Sequence, residues 1–129
     1  MQLLVGQRVQ RMSFILWCLG WLVVAIESLR PIQAVPFGMS DKAIHFLGYA
    51  VMSAAVASFC YEPRRLIGWS GFTVFIGGLF EVGQYFVPDR NADPLDFVAN
   101  TSGAILGATI ALGWLLIVVR PLRRALTSA

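Results

Sequence analysis

The chain has 129 residues, 57% of them hydrophobic and 13% charged, with a net charge of +3. Soluble domains average about 45–50% apolar and 25% charged residues, so this composition excludes a water-soluble fold. The basic excess flanks apolar segments, where it orients a membrane protein, and does not form a nucleic-acid patch.

Four apolar stretches of roughly 17–25 residues, each long enough to cross a hydrocarbon core about 30 Å thick, take up nearly the whole length. The expected fold is all-α, a polytopic membrane bundle of four transmembrane helices forming a single membrane domain over 1–129. Helix one is expected over about 13–29 and stops at Arg30-Pro31, since proline disfavours helix in the residue before it. No small-x-small cleavage pattern follows Ile26 or Leu29, so the segment reads as a retained helix and not a signal peptide. Helix two is expected over 42–61, with Ser40 or Asp41 capping its free N–H groups. Glu62-Pro63-Arg64-Arg65 is a charged turn, and helix three follows over 66–87. Asp93-Pro94-Leu95-Asp96 reads as a helix start, a capping aspartate followed by proline at the first helical position, and helix four runs over 94–119. Cys18 and Cys60 fall on different helices without metal-site spacing and read as small core residues. Trp17, Trp21, Trp69 and Trp114 read as interface or lipid-facing anchors.

Orientation follows from the basic residues, which are retained in the cytoplasm. Arg8, Arg11, Arg64, Arg65, Arg120, Arg123 and Arg124 share one side, while Arg30, Lys42 and Arg90 share the other. Both termini are therefore expected inside. Of the acids, only Glu62 is on the cytoplasmic side; Glu27, Asp41, Glu81, Asp89, Asp93 and Asp96 sit in the outer half.

That skew has a pattern. Asp41 and His45 are four residues apart on one helical face, with Tyr49 a turn further in. Glu81 precedes Gln84 and Tyr85 by three and four residues, and lies about 9 Å inside the expected end of helix three at 1.5 Å per residue. Helix four contributes Asp93, Asp96 and Asn100. All three faces begin or end at the same membrane surface. A carboxylate at the centre of the hydrocarbon costs at least about 2.5–3.5 kcal/mol, so Glu81 is expected to point into the bundle, toward His45, Asn100 and Arg90.

The set Asp41-Lys42-x-x-His45-Phe46-x-x-Tyr49, Glu81-x-x-Gln84, Arg90-x-x-Asp93-x-x-Asp96 and Asn100-x-x-Gly103-x-x-x-Gly107 resembles the VanZ-like family of integral membrane proteins over about residues 40–110. The resemblance implies a four-helix protein of the cell envelope in the bacterial inner membrane. In some members it also implies lowered sensitivity to teicoplanin-type glycopeptide antibiotics; it supplies no settled chemistry.

The leading expectation is an outer-leaflet polar site for a phosphorylated or lipid-linked envelope precursor, lined by Asp41, His45, Glu81, Gln84, Arg90, Asp93, Asp96 and Asn100. In a reactive version His45 or Glu81 is the general acid or base, Arg90 holds phosphate through its guanidinium, and the acids hold a divalent cation. The bland reading makes the same residues helix glue and an N-cap in a structural or accessory subunit, its glycine faces binding a membrane-protein partner or a second copy. A proton-coupled carrier is disfavoured, since no inverted repeat is present. Gly103 and Gly107 are expected to allow close helix contact.

Overall fold

The computed structural model describes residues 2–29, 40–88 and 93–127, and every element among them is helical. The chain forms α1 (Gln2–Leu29), α2 (Asp41–Ala54) with a 3-10 turn (Ala55–Ser58), α3 (Pro63–Gln84), α4 (Pro94–Trp114), a π-helical turn (Leu115–Val119) and α5 (Arg120–Thr127). Gly6–Leu29, Pro63–Gln84 and Pro94–Leu126 are each long and apolar enough to cross a membrane.

The helix starts follow the sequence signals. The Ser40 hydroxyl accepts from the Ala43 N–H at 3.2 Å and caps α2, and Asp93 caps α4 by accepting from the Leu95 N–H at 2.9 Å. Pro63 and Pro94 stand in the first turns of α3 and α4, where no intrahelical donor is needed.

The helix ends depart from the expected bounds. α1 begins at Gln2 and takes Arg8 and Arg11 into the helix, about three turns before the apolar run starts. α2 is only 14 residues long and gives way to the 3-10 turn, where the Ser58 hydroxyl bonds the Ala55 carbonyl at 2.7 Å in competition with the α-helical ladder. α3 stops at Gln84 and closes with i→i−3 bonds leading into Pro88. Glu81 therefore lies about 4.5 Å from the helix end, half the expected depth. The helix expected to end near Val119 continues through Pro121. Proline at 121 would collide with the carbonyl four residues back, and the π turn immediately before it re-routes the ladder so that the Arg120 N–H bonds Leu115 O.

Side-chain pairings fix how the helices run. Gly103 sits against Phe46 and Gly107 against Ala50, a register that rises along both chains, so α2 and α4 are parallel. Ser53 bonds Ser70, and Tyr49 covers Gly77, so α3 is antiparallel to α2. Phe14 packs on Trp69 and Gln84 bonds Ser28, so α1 is parallel to α3. The result is an up-down-up-down bundle.

Its tightest seam is α2 on α4. A Cβ on Gly103 or Gly107 would fall into the carbonyl oxygens of Phe46 and Ala50. The glycine spacing expected to permit close contact therefore does so within this one chain.

The apolar core is built toward the end opposite the start of α2, around Trp17, Met52, Val56, Cys60, Leu66, Ala111 and Leu115. Trp17 corrects the reading of the tryptophans as outward anchors. It is buried, stacks edge-on against Trp21, Phe59 and Trp69 at 5.3–5.8 Å, and donates its indole N–H to the Met52 carbonyl at 2.8 Å. Trp114 does face outward. Cys60 is a core residue as expected, whereas Cys18 is exposed on α1.

Candidate functional site

The half of the bundle holding the start of α2 is built differently, with buried polar groups from three helices at one level. His45 projects from the second turn of α2 and is 7% exposed. Its Nδ1 lies 3.0 Å from Oδ1 of Asn100, one turn into α4 from Asp96. The Asn100 amide donates onward to Oε1 of Glu81 at 3.2 Å. His45, Asn100 and Glu81 thus form a ladder across α2, α4 and α3, every rung at least nine-tenths buried.

The ladder has a chemical direction. The Asn100 NH₂ donates to Glu81, which leaves the Asn100 carbonyl facing His45. An acceptor at Nδ1 requires that nitrogen to carry hydrogen. The other ring nitrogen, Nε2, faces Oδ2 of Asp41 at 3.6 Å, too long for a hydrogen bond.

Above this level Lys42 crosses from α2 to α4. Its ammonium donates to Asp93 Oδ2 at 2.6 Å and to Asp96 Oδ1 at 3.2 Å. Asp96 is buried while Lys42 and Asp93 are partly exposed, so the cluster runs from the surface into the bundle. The Lys42 ammonium, and after it the Leu95 N–H, hold the Asp93 carboxyl below the ordinary aspartate range. One atom from each of Asp41, His45 and Asp96 lies within 4.8 Å of the others.

Asp41, His45, Glu81, Asp93, Asp96 and Asn100 are therefore brought together as expected. Gln84 is buried near them but turns toward α1, donating to the Ser28 carbonyl at 3.1 Å; its Oε1 is buried with no hydrogen-bond partner among the described residues. Arg90, expected to hold phosphate, lies outside the described residues. Tyr49 follows His45 on the same stripe, is 1% exposed and fits where Gly77 lacks a side chain. Lys42 was not among the expected site residues. Its signal was present in Asp93-x-x-Asp96, two acids one helical turn apart that can clasp a single cation.

A helical bundle with membrane-length apolar helices, an apolar core in one half and a buried ionisable ladder in the other defines a multi-pass membrane protein with a polar intrabundle site. The family model described as VanZ/LLP1 matches residues 7–119, and the chain belongs to that family. The match reaches beyond the 40–110 stretch that carries the motif resemblance and takes in α1. No curated protein and no solved structure matches the chain.

Proposed function

We propose that the protein is a four-crossing envelope protein of the bacterial inner membrane. Its polar cluster forms an outer-leaflet pocket for the headgroup of a phosphorylated or lipid-linked precursor. The observation that carries the reading is the ladder from partly exposed Asp41 and Lys42 down through His45 and Asn100 to buried Glu81. Helix glue needs no such depth of ionisable groups, because an interhelical hydrogen bond in a membrane is worth only about 0.6 kcal/mol on average.

The fourth crossing is α2 with its 3-10 turn. Fourteen residues at 1.5 Å and four at about 2.0 Å give roughly 29 Å, close to the hydrocarbon thickness. Its register against α4 and α3 supports this, since it runs from the level of Asp96 and Glu81 to that of Phe14 and Trp69. The basic residues Arg64, Arg65, Arg120, Arg123 and Arg124 gather at the far end, which supports a cytoplasmic position for that end and both termini and an outer position for the cluster. Within the pocket His45 and Glu81 are the acid–base candidates. Asp41, Gln84, Arg90, Asp93, Asp96 and Asn100 would contact the ligand. A link to teicoplanin sensitivity enters only through the family.

The accessory-subunit reading keeps one supporting observation. An apolar groove of about 360 Å³ between α3 and α4, lined by small residues including Ser70, Gly71, Ala104 and Ala108, is shaped to take a neighbouring helix or an acyl chain. Gly103 and Gly107 no longer serve it, being covered by α2.

Native mass spectrometry of the detergent-purified protein separates the two. A phospholipid or polyprenyl phosphate that co-purifies with the wild type and is lost from folded His45→Ala and Glu81→Gln variants is the expected result. Identical spectra for all three would rule out the headgroup pocket.

A further inference from the structure

We propose that the apolar groove between α3 and α4 holds one acyl chain of an anionic glycerophospholipid, whose phosphate is met by Arg64 at the groove's end. The site lies in the apolar half of the bundle, away from the polar cluster, and does not depend on the headgroup reading. Its lipid belongs to the leaflet that is cytoplasmic in the proposed orientation.

The lining selects hydrocarbon. The groove has a volume of about 360 Å³, and small residues form its floor, Gly71 on α3 with Ala104 and Ala108 on α4. A Cβ added at Gly71 would meet nothing within 4 Å, so the space above it is open. Two hydroxyls also line the groove, and both are satisfied within the chain. Ser70 donates to the Leu66 carbonyl at 3.0 Å and accepts from Ser53, while Thr109 donates to the Ile105 carbonyl at 2.8 Å. No hydroxyl proton is left over for a polar guest, and burying a polar group there without a partner would be costly.

The extent of the groove selects a lipid tail over a helix. From Ile67 to Val74 helix α3 rises about 10 Å, a third of a hydrocarbon core about 30 Å thick. One turn beyond Val74 the Phe97 ring of α4 reaches Gly78, 3.4 Å from where a Cβ would stand, and occupies the space between the two helices. The groove is thus confined to one leaflet and blocked toward the other. A neighbouring transmembrane helix crosses both leaflets and packs closely where small residues let the backbones approach. Here the small floor ends after about two turns, and large side chains such as Leu79, Val82 and Val98 are exposed beyond it.

Charge complementarity sets the headgroup. Arg64 precedes Ile67 by three residues and Gly71 by seven, so it continues the groove's stripe to the start of α3. It is exposed and makes no ion pair among the described residues, whereas its neighbour Arg65 is held by Glu62 at 2.8 Å. Arg120, at the same end of the bundle, is likewise exposed and without an ion pair among the described residues. Glu62 is the one acid expected at that end, and it is already engaged by Arg65. A guanidinium matches phosphate oxygens bidentately. An apolar slot one leaflet deep with a guanidinium at its open end is complementary to a phospholipid anion, tail inward and phosphate outward.

The test uses the full chain, delipidated in detergent and titrated in native mass spectrometry with phosphatidylglycerol or with phosphatidylcholine of the same acyl chains. The expected result is one phosphatidylglycerol bound per chain in preference to phosphatidylcholine. Gly71→Leu fills the open floor and abolishes that binding event, with thermal unfolding unchanged. Gly68→Leu adds a side chain where a Cβ also has nothing within 4 Å but outside the groove lining, and leaves binding as in wild type. Arg64→Gln weakens phosphatidylglycerol about five-fold and leaves phosphatidylcholine unchanged. The difference between wild type and Arg64→Gln shrinks as salt is raised.

Phosphatidylglycerol bound equally by wild type and Gly71→Leu overturns the proposal, and so does a headgroup preference that survives Arg64→Gln. Arg64 is exposed, so that variant stays informative even where Gly71→Leu does not fold. A wild-type dimer that Gly71→Leu splits, with no change in bound lipid, would give the groove to a second copy of the chain and refute the lipid. His45→Ala leaves the Gly71-dependent lipid in place, so failure of the outer pocket and failure of the groove are read separately.

Discussion

Substituting alanine for Gly103 tests the architecture that positions the site. An added Cβ would stand 2.9 Å from the Phe46 carbonyl carbon and 3.1 Å from its Cα, with the carbonyl oxygen nearer still, where ordinary contacts are 3.4–4 Å. The obstruction is backbone, so no rotamer relieves it, and α2 must lift from α4 by at least about half an ångström. A radial gap of 0.5–1 Å forfeits about a quarter to a half of the dispersion energy along the seam, and overpacking in a filled core costs typically about 1–3 kcal/mol. Gly107→Ala meets Ala50 and Ala54 in the same way. Gly48 and Gly68 lie on helices where an added Cβ would have nothing within 4 Å. Alanine there should be neutral or stabilising by up to about 1 kcal/mol through helix propensity. Reversible unfolding in mixed micelles, followed by tryptophan fluorescence, measures all four. If Gly103→Ala is as stable as Gly48→Ala, the close parallel seam is wrong, and with it the register that brings His45 to Asn100.

Gly77→Ala should cost less than Gly103→Ala, because the atom it meets, Tyr49 Cε1 at 2.8 Å, belongs to a side chain that can shift; the same unfolding assay ranks the two. Trp17→Phe keeps the aromatic packing and removes the indole bond to Met52 O, with an expected loss of about 0.6–1.7 kcal/mol by micelle titration. Acid sensitivity follows from Asp93. Its carboxyl is depressed by the Lys42 ammonium, so the stability it contributes is fully present above the unfolded aspartate value near 4 and is lost as pH falls through the lower folded value. A stability–pH curve should therefore fall below about pH 4 in the wild type. In Lys42→Met the Asp93 contribution should shrink to the smaller part held by the Leu95 N–H, and an unchanged acid limb would refute the assignment.

Much of this was legible in sequence because it rests on local signals. The caps at Ser40 and Asp93, the prolines at helix starts and the glycine spacing in α4 each have a mechanism confined to a few residues. The convergence of Asp41, His45, Glu81 and Asn100 was also legible, since helices that start or end at one surface bring their terminal turns to one level. Partner choice within that level was not. Asn100 bridges His45 and Glu81, and Gln84 turns away to a backbone carbonyl of α1, because of helix rotations that periodicity does not record. Trp17 departs from expectation for a related reason. Hydropathy distinguishes membrane from water but not lipid from bundle interior, and an indole buried there needed Met52 O, which no side-chain pattern announces. The helix ends differed where side-chain hydroxyls and proline competed with the ladder, at Ser58 and before Pro121.

The two halves of the bundle set different energetic terms against each other. The half around Trp17, Val56 and Leu115 is apolar and filled, and the glycine seam presses α2 onto α4 over the turn from Gly103 to Gly107. These alone hold four helices together. Glu81 and Asp96 add the cost of burying ionisable groups, up to about 2.5–3.5 kcal/mol each at full membrane depth. Near the helix ends the cost is a fraction of that, yet hydrogen bonds worth about 0.6 kcal/mol apiece do little more than offset it. Leucine and alanine at the same positions would give a bundle at least as stable. The polar half is therefore not explained by stability, and its distinguishing property is chemical: an imidazole bridged to Asn100 on one side and facing carboxylates on the other, with one edge open to the surface. Replacing the whole ladder, His45→Leu with Glu81→Leu and Asn100→Leu, makes the argument quantitative. It should leave unfolding free energy within about 1 kcal/mol of wild type, since every partner of the buried bonds is replaced together, while retention of the pocket lipid is lost. A large destabilisation with ligand binding intact would return the ladder to a structural role.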